Sequence, residues 1–288
     1  EGNVDSNTIG GNYTHVEGTN CSSTGYASHA EGEGSSTDAE AGHAEGEATY
    51  AGGEATHSEG CATSATTFAS HSEGFETEAS APTAHAEGYQ TQANGLFSHA
   101  EGFGTQANNT AAHAEGEGTT ANVEASHAEG VGTYAGAYAS HAEGYYTQTT
   151  NNHGHAEGES TTASAEAAHA EGSNTTASGA ASHAEGNSGT TASGTGAHAE
   201  GGNTLSSGTY SHSEGEVTQA TGEASHTEGY YTSATNFASH AEGANSNASG
   251  YVSHAEGNDT NAEGSYSHSE GYETTAGGYA SHAEGEGS

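Results

Sequence analysis

The sequence contains no lysine and no arginine, whereas aspartate and glutamate together number 39, so the formal charge at neutral pH is −39. Nucleic acids and anionic membrane surfaces are bound through cationic side chains, so both classes of partner are excluded. The charge favours cations as partners instead. No apolar run is long enough to cross a bilayer and no signal peptide is visible, so we expect no membrane insertion.

Large apolar side chains are scarce. Apolar residues are 29% of the 288 residues, with only two leucines (Leu96 and Leu205), five phenylalanines, no methionine and no tryptophan. A large conventional core is therefore excluded, and the composition alone is typical of a disordered chain. Two cysteines, Cys21 and Cys61, lie about three repeats apart, which is beyond disulfide reach within one chain.

Histidine recurs every 14 residues. Twenty of the 21 histidines follow this period from His15 to His282, with one 15-residue step from His183 to His198. A glutamate stands two residues after each of these histidines, and a glycine follows each glutamate. We expect residues 1–288 to form a single repeat array with a 15-residue unit at 183–197, as a fragment of a longer repetitive fibre.

The repeat predicts an all-β fold. With histidine at position 1, the consensus is H-A-E-G-x-x-T-x-A-x-G-x-A-S, which alternates with period two between glycine-bearing corners. A parallel β-solenoid of about 20 coils follows, each coil having two strands of about five residues and two tight turns. Alternation places positions 2, 4, 7, 9 and 14 inside, and histidine and glutamate outside. The extra residue of the 15-residue unit should bulge at a corner without shifting the register.

The pattern SHAEGxxTxAxG resembles the S-[VI]-A-[IL]-G-x-x-[SA]-x-A-x-G repeat of the YadA-like heads of trimeric autotransporter adhesins, over essentially the whole chain. Similar repeats occur in phage fibre-like proteins. The resemblance implies a left-handed parallel β-roll, a homotrimer around one axis, and an extracellular location. It also implies that the strand Ser28–Gly32 faces the trimer axis. Histidine and glutamate stand where the family has two apolar axial residues.

The histidines and glutamates form two parallel ladders. The representative residues that we singled out are His15, Glu17, His29, Glu31, His43, Glu45, His57, Glu59, His141, Glu143, His254 and Glu256. Equivalent pairs without a unique nucleophile do not make an active site, so we expect no enzyme. Two interpretations remain: His–Glu hydrogen bonds between neighbouring chains, because no Lys or Arg supplies a donor, or a transition metal held by three imidazoles on a three-fold axis. Pairing with His⁺ predicts weakening at alkaline pH, whereas metal binding predicts weakening in acid.

Glutamates at positions 5 and 12 coincide in five coils. These corner glutamates are Glu33 with Glu40, Glu47 with Glu54, Glu117 with Glu124, Glu159 with Glu166, and Glu216 with Glu223. Covariation suggests contact, and seven residues of extended chain, about 20 Å, exclude contact within one coil. Contact between neighbouring chains of a symmetric homo-oligomer explains the pattern, as does recent duplication of the repeats. Carboxylates that face one another are suitable ligands for Ca²⁺. Alternatively, the corner glutamates are simply solvated and keep the fibre soluble.

These features favour a structural role. We predict an extracellular filament or fibre shaft at a cell surface, in which the chain binds copies of itself, laterally as a trimer and head to tail, with a host surface or matrix as a further partner. Two alternatives are a phage tail or receptor-binding fibre and a metal-binding filament.

Overall fold

The computed structural model describes residues 6–288 and contains strands and turns but no helix within them. The chain divides into two compact units, Glu1–Gly144 and Tyr145–Ser288. Each unit is a parallel β-solenoid, which confirms the predicted fold class of about 20 coils with about 14 residues per coil. None of the described residues forms a helix of the length and apolarity that a membrane span requires.

Each complete coil contains one long and one short strand. The long strand runs from position 1 to position 5, and the short strand covers only positions 8 and 9, so the prediction of two five-residue strands was wrong for the second strand. The long strands are β2 His15–Thr19, β4 His29–Glu33, β6 His43–Glu47, β8 His57–Cys61, β10 His71–Phe75, β12 His85–Tyr89, β14 His99–Phe103, β16 His113–Glu117, β18 His127–Val131, β20 His141–Tyr145, β22 His155–Glu159, β24 His169–Ser173, β26 His183–Asn187, β28 His198–Gly202, β30 His212–Glu216, β32 His226–Tyr230, β34 His240–Ala244, β36 His254–Asn258 and β38 His268–Tyr272, followed by the shorter β40 His282–Ala283.

The short strands form a second column. They are β1 Thr8–Ile9, β3 Ser22–Ser23, β5 Ser36–Thr37, β7 Tyr50–Ala51, β9 Ser64–Ala65, β11 Glu78–Ala79, β13 Gln92–Ala93, β15 Gln106–Ala107, β17 Thr120–Ala121, β19 Tyr134–Ala135, β21 Gln148–Thr149, β23 Thr162–Ala163, β25 Thr176–Ala177, β27 Thr191–Ala192, β29 Leu205–Ser206, β31 Gln219–Ala220, β33 Ser233–Ala234, β35 Asn247–Ala248, β37 Asn261–Ala262 and β39 Thr275–Ala276. Within each unit the strands pair in parallel with the equivalent strands of the next coil: His71 pairs with His85 in the first unit, and His254 with His268 in the second.

The interior is narrow and contains small side chains. Ala100 at position 2, Thr105 at position 7 and Ala107 at position 9 are all fully buried, and Ser98 at position 14 is 2% exposed. This confirms positions 2, 7, 9 and 14 of the predicted inside set, because the two columns of strands approach too closely for larger residues. Gly102 at position 4 is only partly buried. The main-chain groups hydrogen-bond from coil to coil, as from His99 N to the carbonyl of Ala112 at 3.0 Å.

Position 4 requires glycine for a steric reason, which the inward–outward alternation of side chains does not explain. Gly102 has a φ of +113°, and a Cβ built on it would lie 2.2 Å from the carbonyl oxygen of Gly116 in the next coil. No side chain fits at that distance. The repeated glycine therefore marks a close approach of backbones rather than merely a small interior residue.

Residues at positions 6 and 13 adopt the left-handed region even when they are not glycine. In the coil that begins at His43, Ala48 has a φ of 56° and Ala55 a φ of 58°. The amide of Ala48 donates to the carbonyl of Glu33 at 2.7 Å, and that of Ala55 to the carbonyl of Glu40 at 2.9 Å. In both turns these left-handed residues therefore donate hydrogen bonds to the preceding coil. Those hydrogen bonds offset the conformational cost of about 1–2 kcal/mol for each residue.

The extra residue of the 15-residue unit lies in a turn, as predicted. Asn187 pairs with Gly202 and Thr191 with Thr176, so the register is kept on both sides of it. Between the strands, Ser188 and Gly189 have φ values of 58° and 89°. The turn borders an open depression of about 620 Å³, which is lined by Glu216 and by glycines of adjacent coils such as Gly201 and Gly215.

Candidate functional site: the histidine–glutamate ladder

The long strands place histidine and glutamate on one outer face. The residue at position 2 points inward, as Ala30 does with no exposed surface. Because side chains alternate along a strand, positions 1 and 3 point outward. We call the histidines at position 1 and the glutamates at position 3 the ladder. All twelve representative ladder residues named from the sequence occupy these outward positions.

The ladder imidazoles stack on one another within each unit. From His15 to His141 the centroids of consecutive rings are 4.5–4.9 Å apart, and the planes differ by at most 21°. From His155 to His282 the separations are 4.6–4.9 Å. These distances follow from the strand spacing of a parallel sheet, about 4.8 Å.

Histidine and glutamate meet within one coil. The Nε2 atom of His29 is 3.3 Å from Oε2 of Glu31, and that of His57 is 3.4 Å from Oε2 of Glu59. In several other coils the two atoms are 3.5–3.9 Å apart, as in His15 with Glu17 and His183 with Glu185. Within one chain the two residues lie at positions i and i+2 of a single strand face, and an outward histidine is long enough to reach its neighbour. The predicted pairing between neighbouring chains stays a prediction.

The environment of the ladder favours neutral imidazole. Burial lowers the pKa of His71, and the imidazoles of His85 and His57 lower it further, whereas the carboxylate of Glu73 raises it by less. Burial is also the largest cause, followed by neighbouring imidazoles, of the lowered pKa values of His99, His113, His127, His169, His198, His226 and His240. Within a single chain, desolvation and stacked neighbours thus outweigh the carboxylate at these residues. Pairing of His⁺ with a glutamate of a neighbouring chain stays a prediction.

Many Nε2 atoms of the ladder are shielded from solvent without a hydrogen-bond partner. This holds for those of His71, His85, His99, His113, His127, His169, His183, His198, His212, His226, His240, His254 and His268. Where a glutamate of the same coil is near, its Oε2 atom is 3.5–3.9 Å from Nε2. These distances exceed the ordinary length of a hydrogen bond. A regular row of unsatisfied ring nitrogens is the feature that sequence reasoning missed, since the histidine period gives no sign of side-chain distances.

Several ladder groups bring three metal-binding atoms together. The donor atoms of His15, His29 and Glu31 all lie within 4.8 Å of one another. In the second unit the same holds for His169, Glu171 and His183, for His183, Glu185 and His198, for His240, Glu242 and His254, and for His254, Glu256 and His268. These groups form within one chain, whereas the sequence suggested three imidazoles from three chains.

The corner glutamates lie outside the ladder in two columns. Glu33 and Glu47 are register partners at the ends of adjacent long strands, and both are exposed. Glu40 and Glu54 lie in the other turn of their coils, beyond the short strand. The structure thus stacks glutamates of consecutive coils within each column; contact between a position-5 and a position-12 glutamate of different chains stays a prediction.

The cysteines are free thiols, as predicted for one chain. Cys21 takes the buried position 7, where its Sγ donates to the carbonyl of Gly32 at 3.3 Å. Cys61 lies at a corner with its Sγ 3.9 Å from Oε2 of Glu47. Desolvation and then the Glu47 carboxylate raise the pKa of the Cys61 thiol, which disfavours a reactive thiolate there.

Neither a family model nor a curated protein matches the chain. Its function is therefore inferred from the geometry described above.

Proposed function

We propose that this chain is the structural shaft of an extracellular fibre, assembled as a homotrimer of β-solenoids, rather than an enzyme. The observation that carries the proposal is the unbroken register of equivalent coils within each unit, which persists even across the extra residue after Asn187. Equivalent side chains and hydrogen bonds in every coil are suited to a mechanical role, because the stability of a repeat protein is approximately the sum of the contributions of its coils and their interfaces.

The ladder face supports self-association. Its side chains are only partly covered: that of His71 is 34% exposed and that of Glu73 48% exposed. A face that presents the same donors and acceptors in every coil is complementary to copies of itself around a symmetry axis. The family resemblance implies that this face lies toward the axis of a trimer, where donors of the neighbouring chains would be within reach of the shielded ring nitrogens.

An exposed aromatic stripe supports contact between chains at the corners. Phe75, Tyr89 and Phe103 stack at position 5 with centroid separations of 4.9 and 5.0 Å, and they are 37–51% exposed. At position 12, Phe237 and Tyr251 stack at 5.2 Å and are also exposed. Contiguous exposed aromatic surface is typical of protein interfaces, and in a trimer it would meet the opposite corner of the neighbouring chain.

The charge fits an exposed fibre. Since the chain carries 39 acidic residues and no lysine or arginine, the surface keeps separate fibres apart by repulsion while the repeated coils hold each fibre together. We propose a cell-surface location and a host surface or matrix as partner, with adhesion as the use of the shaft.

Sedimentation equilibrium and negative-stain microscopy of the full chain test the proposal. We expect a mass of three times 28.4 kDa and uniform rods. Substitution of Phe75, Tyr89 and Phe103 by serine should weaken the trimer, whereas the control changes Gln92→Ser and Gln106→Ser on the short strands should not. A monomer at micromolar concentration would overturn the homotrimeric shaft.

A further inference from the structure

The ladder holds imidazole and carboxylate donors in reach of a single ion. His183 lies in two donor groups, one with His169 and Glu171 and the other with Glu185 and His198, and the donor atoms of each group lie within 4.8 Å of one another. The same arrangement recurs in this unit at His254, which is shared by the groups that contain Glu242 and Glu256. The site is therefore a property of the repeat and not of one position.

The ring nitrogens of these groups are free to bind. The Nε2 atoms of His169, His183, His198, His240 and His254 are shielded from solvent and have no hydrogen-bond partner. A neutral imidazole protonated on Nδ1 presents a lone pair at Nε2, which is the donor that transition metals use.

We propose that the ladder binds Zn²⁺ or a similar divalent transition metal between consecutive coils of one chain, with two imidazoles and one carboxylate to each ion and a water molecule in the fourth position. This inference goes beyond the shaft function and does not depend on it, because every protein ligand comes from the same chain. Imidazole with carboxylate suits Zn²⁺ in a tetrahedral site, whereas Ca²⁺ and Mg²⁺ prefer oxygen ligands alone.

The sharing of histidines limits the stoichiometry. Each Nε2 has one lone pair, so His183 cannot serve both of its groups at once, and a filled site excludes its neighbour on either side. Two glutamates also neutralise one divalent ion, while an ion in every coil would leave one excess positive charge per coil at a spacing of about 4.8 Å. The 20 ladder histidines, used two at a time, give at most ten ions per chain.

Binding requires a local rearrangement of the stack. The rings of His169 and His183 are 4.6 Å apart, whereas two nitrogens bound tetrahedrally to one Zn²⁺ at about 2.0–2.1 Å lie roughly 3.3 Å apart. The two rings must lean together and away from their other neighbours. Metal binding therefore pairs the coils and breaks the uniform stacking of the imidazoles.

Titration of the metal-free full chain with Co²⁺ tests the inference, because tetrahedral Co²⁺ absorbs visible light much more strongly than octahedral Co²⁺. Excess Mg²⁺ and moderate salt occupy the corner glutamates and suppress nonspecific binding. We expect strong tetrahedral absorption that saturates near ten ions per chain and is abolished by competing Zn²⁺. Weak octahedral absorption, or saturation near twenty ions, would overturn the proposal.

Two matched variants of the second unit locate the sites. The first replaces its ladder glutamates by glutamine, at Glu157, Glu171, Glu185, Glu200, Glu214, Glu228, Glu242, Glu256, Glu270 and Glu284. The control replaces its acidic residues outside the ladder by amides, at Glu159, Glu166, Glu216, Glu223, Asp259, Glu263, Glu273 and Glu286. We expect the ladder variant to lose about half of the tetrahedral sites and the control to lose none; equal losses in both would overturn the assignment.

These readouts separate the metal site from the shaft. Circular dichroism shows whether each variant keeps its β-structure, and the absorption of the unmodified chain decides the proposal even where a variant fails to fold. A chain that is monomeric yet binds Co²⁺ tetrahedrally at the expected ratio would overturn the trimer and leave the metal ladder standing.

Discussion

The imidazole rings of His71 and His85 lie parallel, with centroids 4.5 Å apart and planes that differ by 4°. Protonation of either ring places a positive charge directly against its neighbour. The pKa of His71 is lowered by burial first and then by this neighbour, and Glu73 compensates only in part. Neutral imidazole is thus favoured at His71, as at the other ladder histidines whose pKa is lowered for the same reasons.

The first prediction concerns pH. A histidine whose folded-state pKa lies below the unfolded value of about 6.5 stabilises the fold fully above that pH. This stabilisation is lost as the pH falls, because the unfolded chain then binds more protons. We expect the free energy of unfolding, measured in denaturant with a chelator present, to decrease from pH 8 to pH 5.5.

The chosen pH range separates histidine from the acidic residues, since most carboxyl groups titrate below it. A variant with His71, His99 and His113 replaced by asparagine should lose part of the pH dependence. A free energy of unfolding that rises toward pH 5.5 would mean that imidazolium–carboxylate pairing outweighs stacking and desolvation. Because acid is expected to weaken the metal-free chain, only the effect of a chelator reports on bound metal.

The second prediction concerns the glycine at position 4. Gly102→Ala brings a Cβ within 2.2 Å of the carbonyl oxygen of Gly116 at a φ of +113°. We expect a loss of about 3 kcal/mol or more in the free energy of unfolding, because backbone on both sides prevents relaxation.

Gly104 provides the matched control two residues away. Its φ is +65° and a Cβ there meets nothing within 4 Å, so Gly104→Ala should cost only about 1 kcal/mol, the usual penalty of the left-handed region. Chemical denaturation of both variants measures the difference. Equal losses at the two positions would contradict the close approach of coils at position 4.

The third prediction concerns buried hydroxyl groups. The Oγ of Ser72 at position 2 lies 2.7 Å from Oγ1 of Thr77, whereas Thr105, opposite Ala100, has a buried Oγ1 without a partner. We expect Ser72→Ala to destabilise the fold by about 1–3 kcal/mol and Ala100→Ser to stabilise it by roughly 1 kcal/mol.

The control for the gain is Ala44→Ser. Its opposite residue, Thr49, already donates to Ser35 at 2.9 Å, so a new hydroxyl there should add less. The three free energies of unfolding are compared at one pH. Destabilisation by Ala100→Ser would show that the interior has no room for the hydroxyl in that coil.

The fourth prediction concerns calcium at the corners. If chains meet at their corners, Glu33, Glu40, Glu47 and Glu54 form a cluster of carboxylates, which suits Ca²⁺. Addition of Ca²⁺ should then raise the melting temperature, and Glu40→Gln with Glu54→Gln should remove most of the rise. The matched control is Glu76→Gln with Glu78→Gln. An unchanged melting temperature would mean that the paired glutamates reflect duplicated repeats.

The sequence predicts much of the fold because one residue type marks every coil. The spacing of histidine gives the coil length, and the alternation about Ala30 gives the inside and the outside. The length of the second strand is not predictable in this way, because Ala48 and Ala55 adopt left-handed conformations that alanine propensity disfavours. Hydrogen bonds between coils decide those conformations, and they exist only in the stack.

The candidate site is predictable in position but not in chemistry. The sequence places His183 and Glu185 on one outer face, yet the same spacing fits an ion pair, a metal site or an interface. Ring stacking, desolvation and the 3.9 Å separation of the pair are three-dimensional properties. At His71, stacking and desolvation lower the pKa, and this sets the sign of the expected pH dependence.

A map of the assembled protein at side-chain resolution tests the central claim most directly. The fibre-shaft account predicts three parallel solenoids whose ladder faces, with His71 and Glu73 among them, surround one common axis. A particle with a single chain, in which the ladder faces solvent along its whole length, would contradict it.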